Sequence, residues 1–252
     1  YMFGMAPHSL RAVSPEALKG ILDSRQLEPV HIHISEQQKE VEDIQNNYGK
    51  RPVNWLIDNV NVDSRWCLVH STHMHPEEID KLAKSGAVAG LCPVTEANLG
   101  DGIFNGSKYI SSGGKYGIGT DSNISISLTY ELRMLEYMQR LYNKERNVMT
   151  NSSGSVGESL YKSTLVGGNQ ALSRNSGIIA SGQWADLLTL DSDALAFFGS
   201  SEDEILDRWI FSANDLLVCE VWSAGRQVVV EGHHIKHEQI ENRYRNIIRQ
   251  LY

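Results

Sequence analysis

The feature that most constrains this chain is the rhythm of its first half. Up to about residue 125, short apolar runs alternate with polar stretches of helical length. The runs fall at residues 2–6, 30–34, 66–69, 87–91 and 116–119, and helix-like stretches at 15–25, 37–48, 53–59 and 76–85 separate them. Ser14-Pro15-Glu16 and His75-Pro76-Glu77-Glu78 read as helix starts. A first-turn proline needs no N–H partner there, and acids suit the positive end of the helix dipole. Runs followed by helices at this spacing are consecutive βα units, and such units build a parallel sheet. Five strands are expected, too regularly connected for an antiparallel sheet. In a (β/α)8 barrel of the TIM type, functional residues sit at the C-terminal ends of strands. His8, His33 with Glu36, His70 and Asp121 fall at such positions.

The second half reads differently. Residues 128–141 are the clearest helix, with Leu128, Leu132, Leu135 and Leu141 expected on one buried face. A Ser/Gly-rich break at 150–157 precedes another helix-like stretch through Ala171. From Gly177, GIIASGQWADLLTLD and VCEVWSAGRQVVVEGHHI are rich in β-formers punctuated by glycine turns. The expected layout is a partial (β/α) barrel over residues 1–172, an appended β-rich sheet, a small β-sandwich, over 173–236, and a polar amphipathic helix within 237–252.

Composition narrows the function classes. With 252 residues, 41% of them hydrophobic, the chain has material for one large domain or two modest ones. A formal net charge of −8 disfavours general binding to phosphate backbones, so no nucleic-acid partner is expected. Cys67, Cys92 and Cys219 are odd in number and scattered, which argues against a disulfide framework and for a reducing compartment. No apolar run approaches the ~20 residues that span a bilayer. The opening YMFGMAPHSLRAV lacks the basic start and apolar core of a signal peptide.

Three groups of residues could carry chemistry. In His31-Ile32-His33-Ile34-Ser35-Glu36, alternate strand residues share a face, so His31 and His33 point the same way. Glu36 lies past the strand end, where it can fold back over a ligand held by His33. An imidazole and a nearby carboxylate suit a metal that activates water, with the carboxylate moving the proton; exposed histidines on a polar strand are the alternative. Cys67-Leu68-Val69-His70 is an apolar run ending in histidine, which alone is often a structural group. In Tyr116-Gly117-Ile118-Gly119-Thr120-Asp121-Ser122 the glycines allow close approach by a neighbour. There Asp121 is either a site residue or, with Ser122, a turn or helix cap. Taken jointly, successive strand ends offering His plus Glu, His, and Asp toward one barrel mouth favour a hydrolytic metal site. His233, His234 and His237 are expected on the surface, and His73 and His75 lie in the loop after the third run.

The ordered set HxxE, His, then Asp in a G-T-D-S context resembles the deaminase branch of the amidohydrolase superfamily, as does the closing GIIASGQWADLLTLD. APHSLRAV, RPVNWL, RWCLVHSTHM, GAVAGLCPVTEANLGDGIF and GIGTDSN resemble, more narrowly, the formimidoylglutamate deiminases of histidine degradation. The resemblance runs over essentially the whole chain. It implies one zinc ion (Zn2+) per active site with His33 and Asp121 as ligands, Glu36 as proton shuttle and His70 as the polarising group. It implies that His8 and Arg11 bind the glutamate part of a small-molecule substrate, N-formimino-L-glutamate, and it places the protein in the cytoplasm as a homodimer. A planar guanidinium suits a carboxylate bidentately. Guanine-type or S-adenosylhomocysteine-type deamination, or a catalytically inactive homologue, are the alternatives.

One departure stands out. The superfamily has an HxH pair at the end of its first barrel strand, and no such pair precedes His8 here. Five strands cannot close a barrel and would leave bare edges. The expectation is therefore a C-terminal part of a longer protein, whose remaining strands come from a preceding segment or another chain.

Overall fold

The computed structural model describes residues 2–24, 28–150 and 154–252. Four strands, β1 (Val30–Ile34), β2 (Trp66–His70), β3 (Val88–Leu91) and β4 (Lys115–Ile118), form an all-parallel sheet in sequential order. Register pairs Ile34 with His70 and Leu91 with Ile118, so the C-terminal ends of the strands lie along one rim. Helices α1 (Pro15–Ser24), α2 (Gln38–Tyr48), α3 (Pro52–Asn59) and α4 (Pro76–Ser85) occupy the stretches that the sequence rhythm marks. Arg25, at the end of the first expected stretch, lies outside the described residues. Two more short helices, α5 (Pro93–Leu99) and α6 (Gly106–Ser111), interrupt the path from β3 to β4.

The helix starts form as their chemistry predicts. The Ser14 hydroxyl accepts from Ala17 N at 3.2 Å, and His75 N donates to Glu78 Oε2 at 2.9 Å. Glu78 is fully buried, and Arg51 Nε reaches the same oxygen at 2.6 Å. One face of the sheet, with Ile32, Ile34, Leu68, Ala89 and Leu91, packs beneath Leu18, Ile44, Leu56, Ile79 and Leu82 of the helices.

Residues 2–6 depart from expectation. They make no strand but a single parallel bridge, Met5 to Val30, followed by a second from Ser9 to His33. Pro7 lies between the two bridges and has no N–H to continue a ladder. The sheet among the described residues is thus four-stranded and open, with β1 and β4 as its edges.

Helix α7 (Leu128–Asn143) buries Leu132 and Leu135, but Leu141 is 78% exposed. Leu141 lies six positions after Leu135, which at ~3.6 residues per turn puts them on different faces; Met138 and Gln139 fill the buried stripe instead. Of the Ser/Gly-rich break, residues 151–153 lie outside the described residues. Helix α8 (Val156–Ala171) then packs on β4 through glycine: a Cβ at Gly167 would fall 1.9 Å from the Tyr116 carbonyl oxygen. Its last turn covers the N-terminal ends of the strands. There Gln170 Nε2 donates to the carbonyls of Ser64 (2.9 Å) and Gly86 (2.7 Å).

The second sheet is antiparallel: β5 (Leu187–Leu190), β6 (Val218–Ser223), β7 (Arg226–Val230) and β8 (His233–His234) pair in order. Ala224-Gly225 and Glu231-Gly232 close its hairpins with positive φ at both positions, the signature of turns that match strand twist. Only this one layer forms among the described residues, so the expected sandwich is represented by a single sheet. Residues 195–217, expected to be β-rich, instead make short helical turns that bury Phe197, Trp209 and Ile210. A helix at His237–Leu251 ends the chain, and no helix among the described residues is long and apolar enough to cross a membrane.

Candidate active site

Strand alternation sets His33 on the face opposite Ile32 and Ile34, and the carbonyl of His8 fixes its ring. That carbonyl accepts both the His33 backbone N–H (3.0 Å) and the His33 Nδ1–H (2.9 Å). A carbonyl can only accept, so Nδ1 carries the proton, and in a neutral imidazole Nε2 keeps its lone pair. The His33 ring lies between that of His8 (centroids 5.0 Å apart) and that of His70 (5.6 Å). His31, two residues earlier, is bound elsewhere: its Nε2 meets the Ala171 carbonyl at 2.8 Å, near the opposite end of the sheet.

After β1 the chain turns sharply at Ser35, with φ of 53°. The buried Glu40 carboxylate holds this turn, accepting from Ser35 N and Glu36 N at 2.9 Å each. The turn carries Glu36 back over the neighbouring strand, where its Oε1 stands 3.6 Å from His70 Nε2.

His70 ends β2 with φ of 69°, followed by Ser71 at 52°, and Asp121 beyond β4 has φ of 52°. Left-handed backbone is unfavourable for such residues and persists only where surroundings fix it. Its recurrence at three strand ends on one rim marks where the fold gives up local comfort for side-chain placement.

His70 is buried, and its Nδ1 meets Glu96 Oε1 at 3.2 Å. Burial alone would lower its pKa; the hydrogen bond to Glu96 and the charges of Glu36, Glu96 and Asp121 outweigh that, and the net direction is upward. Glu131 at the start of α7 is also buried and accepts from Val94 N at 2.9 Å. Burial, with Glu96 and Asp121 nearby, pushes its carboxyl up to about 7.

The structure therefore gathers His8, His33, Glu36 and His70, with the charge of Asp121 felt at His70. Asp121 and His8 are exposed at the rim. Arg11 is 36% exposed and its Nη2 lies 4.0 Å from Glu40 Oε2, beside the turn that carries Glu36. His73 binds the Asp101 carbonyl (2.7 Å), and His233, His234 and His237 lie at the surface, as expected. Sequence reasoning missed Glu40, Glu96 and Glu131. The one signal for Glu96 was its place in the family-like segment GLCPVTEANLGDGIF.

Zinc fits the donor chemistry, since His33 Nε2 is held free by the Nδ1 contact, as in ligating histidines. The number of donors is smaller than a complete site needs. Among the described residues no three His, Cys, Asp or Glu side chains are grouped to hold a metal ion, whereas protein zinc sites use three or four.

Comparison with known proteins places the chain in a family. The amidohydrolase family model matches residues 1–228, and the chain belongs to that family. It is 46% identical to a formimidoylglutamate deiminase of Pseudomonas aeruginosa over 253 aligned positions, covering 100% of this chain and 56% of the relative. Among solved structures, an amidohydrolase from Brucella melitensis superimposes with a TM-score of 0.93 at 46% identity, over 98% of this chain and 55% of that one. An adenosine deaminase from Xanthomonas campestris with bound zinc gives 0.84 at 25% identity, over 98% and 57%. The chain thus spans a little more than half the length of the relatives it matches.

Proposed function

We propose that these residues form part of a hydrolase that converts N-formimino-L-glutamate and water to N-formyl-L-glutamate and ammonia. The observation that carries this reading is the convergence of Glu36, His33 and His70 on one rim, with His8 and Arg11 beside them.

His33 and Asp121 would hold zinc, with further ligands and strands supplied from outside these 252 residues. When bound, zinc supplies Lewis-acid activation of water at neutral pH. The chain's own groups do the rest. Glu36 takes a proton from the attacking water and delivers it to the formimino nitrogen as the C–N bond breaks and ammonia leaves. His70, favoured in its protonated form by the surrounding carboxylates, donates toward the attacking oxygen and stabilises the charge that develops there. His8 and Arg11 bind the substrate carboxylates at the rim, where the Arg11 guanidinium lies 4.0 Å from Glu40 Oε2. The three free thiols suit a reducing compartment, the cytoplasm. A homodimer completes the proposal.

Zinc-supplied protein of the relatives' full length, carrying these residues, is assayed for ammonia release from N-formimino-L-glutamate, guanine and S-adenosylhomocysteine. Release from the first alone is expected. Release from a purine substrate instead would reassign the pocket, and release from none would leave an inactive binding homologue.

A further inference from the structure

We infer that Glu96 is the positioning residue for His70: a buried carboxylate on α5 that fixes which ring nitrogen of His70 faces the reaction. The inference rests on the deaminase reading above and adds to it a residue that acts through His70.

Glu96 is 1% exposed and carries no lysine or arginine partner among the described residues. Burying a carboxylate is costly unless hydrogen bonds replace its water. Here Oε1 accepts from Cys92 N at 3.0 Å and from His70 Nδ1 at 3.2 Å. The Cys92 contact alone is what a Glu or Gln in the first turn makes to the amide at a helix start. What distinguishes this one is its second contact, to an imidazole whose other nitrogen stands 3.6 Å from Glu36.

A carboxylate only accepts, so His70 Nδ1 must donate, and Nε2 is thereby turned to the rim whatever the ring's charge. Rotating the ring by half a turn would aim carbon at both carboxylates. The backbone of His70 is left-handed, a conformation with a local cost, and the Glu96 contact is one of the restraints holding it. Carboxylates that orient a working imidazole from behind recur in metal sites and catalytic triads, where losing one lowers activity by ~10–100-fold in metal sites and more in triads.

The test uses E96L and E96Q in the full-length enzyme. Leucine keeps the bulk and removes the acceptor; glutamine keeps an oxygen that can take both N–H groups. E96L is expected to lower kcat for N-formimino-L-glutamate by ~10–100-fold, with KM nearly unchanged and zinc content retained. E96Q should recover most of that loss. Independently of turnover, nitrogen-15 NMR of the wild-type histidine rings should show His70 protonated at Nδ1. Wild-type kcat in a folded E96L protein would overturn the inference. So would a His70 ring in the wild type with bare Nδ1, which decides the matter even if E96L does not fold. An inactive wild type with Nδ1 protonated would instead count against the proposed reaction and leave the Glu96–His70 link standing.

Discussion

Glu36 Oε1 lies 3.6 Å from His70 Nε2, across the ends of two adjacent parallel strands. The two residues are far apart in sequence, and neither is placed by its own strand alone. Glu40 holds the turn that returns Glu36, and Glu96 holds the ring that it meets. A carboxylate beside a donor imidazole is the arrangement needed to move a proton while charge builds on a neighbouring oxygen.

Glu36→Gln should therefore cut turnover by at least ~10²-fold, the usual worth of a general acid–base group. Zinc content, measured by atomic absorption, should stay at the wild-type level. Loss of the metal along with activity would make Glu36 a ligand and remove it from the proton-transfer role.

Arg11→Met tests recognition apart from chemistry. The substitution keeps an unbranched apolar side chain and removes the fork that grips a carboxylate. A large drop in kcat/KM for N-formimino-L-glutamate is expected, with a smaller drop for a formimino compound lacking the α-carboxylate. Equal losses on both would assign Arg11 to the Glu40 turn.

Two neighbouring glycines in α8 should respond with opposite signs. Alanine at Gly167 puts a methyl 1.9 Å from the Tyr116 carbonyl and 2.9 Å from Gly117 N, backbone atoms that cannot swing aside. A loss of ~1–3 kcal/mol or more is expected from such overpacking. Gly168→Ala meets nothing within 4 Å and should gain up to ~1 kcal/mol from helix propensity. Urea unfolding of both variants checks the pair; a neutral Gly167→Ala would mean that α8 does not seat on β4.

Just before the second sheet, Arg174 binds both oxygens of Asp186, and Ala224 N donates to Asp186 Oδ1 at 2.8 Å. The Arg174 hydrogen bond, against some burial, holds the Asp186 carboxyl down at about 2 instead of 3.8. A folded-state pKa below the unfolded one stabilises the fold above the unfolded value and loses that contribution as pH falls through the folded one. Wild-type stability should accordingly fall between about pH 4 and 2 more steeply than that of Asp186→Asn. Parallel slopes in acid denaturation would show that the pair contributes nothing.

What the sequence determined by itself was local. Apolar runs of strand length separated by capped helices specify β1 to β4 and α1 to α4, because period and end signals act over a few residues. The same locality made His33, Glu36, His70 and Asp121 legible, since each sits where a strand run stops. Gly117 likewise announced a close approach, although only the fold revealed α8 as the partner. Tertiary structure decided the rest. Residues 2–6 look like a strand, yet they pair at one point only, because a ladder needs continuous N–H donors and Pro7 breaks it. Leu141 has the right character for the core but the wrong angle on its helix. Glu40, Glu96 and Glu131 read in sequence like any acids on helix surfaces. Burial against strand ends and amides turned them into the supports of the site, and burial is a property of the packed whole that no short stretch of sequence encodes.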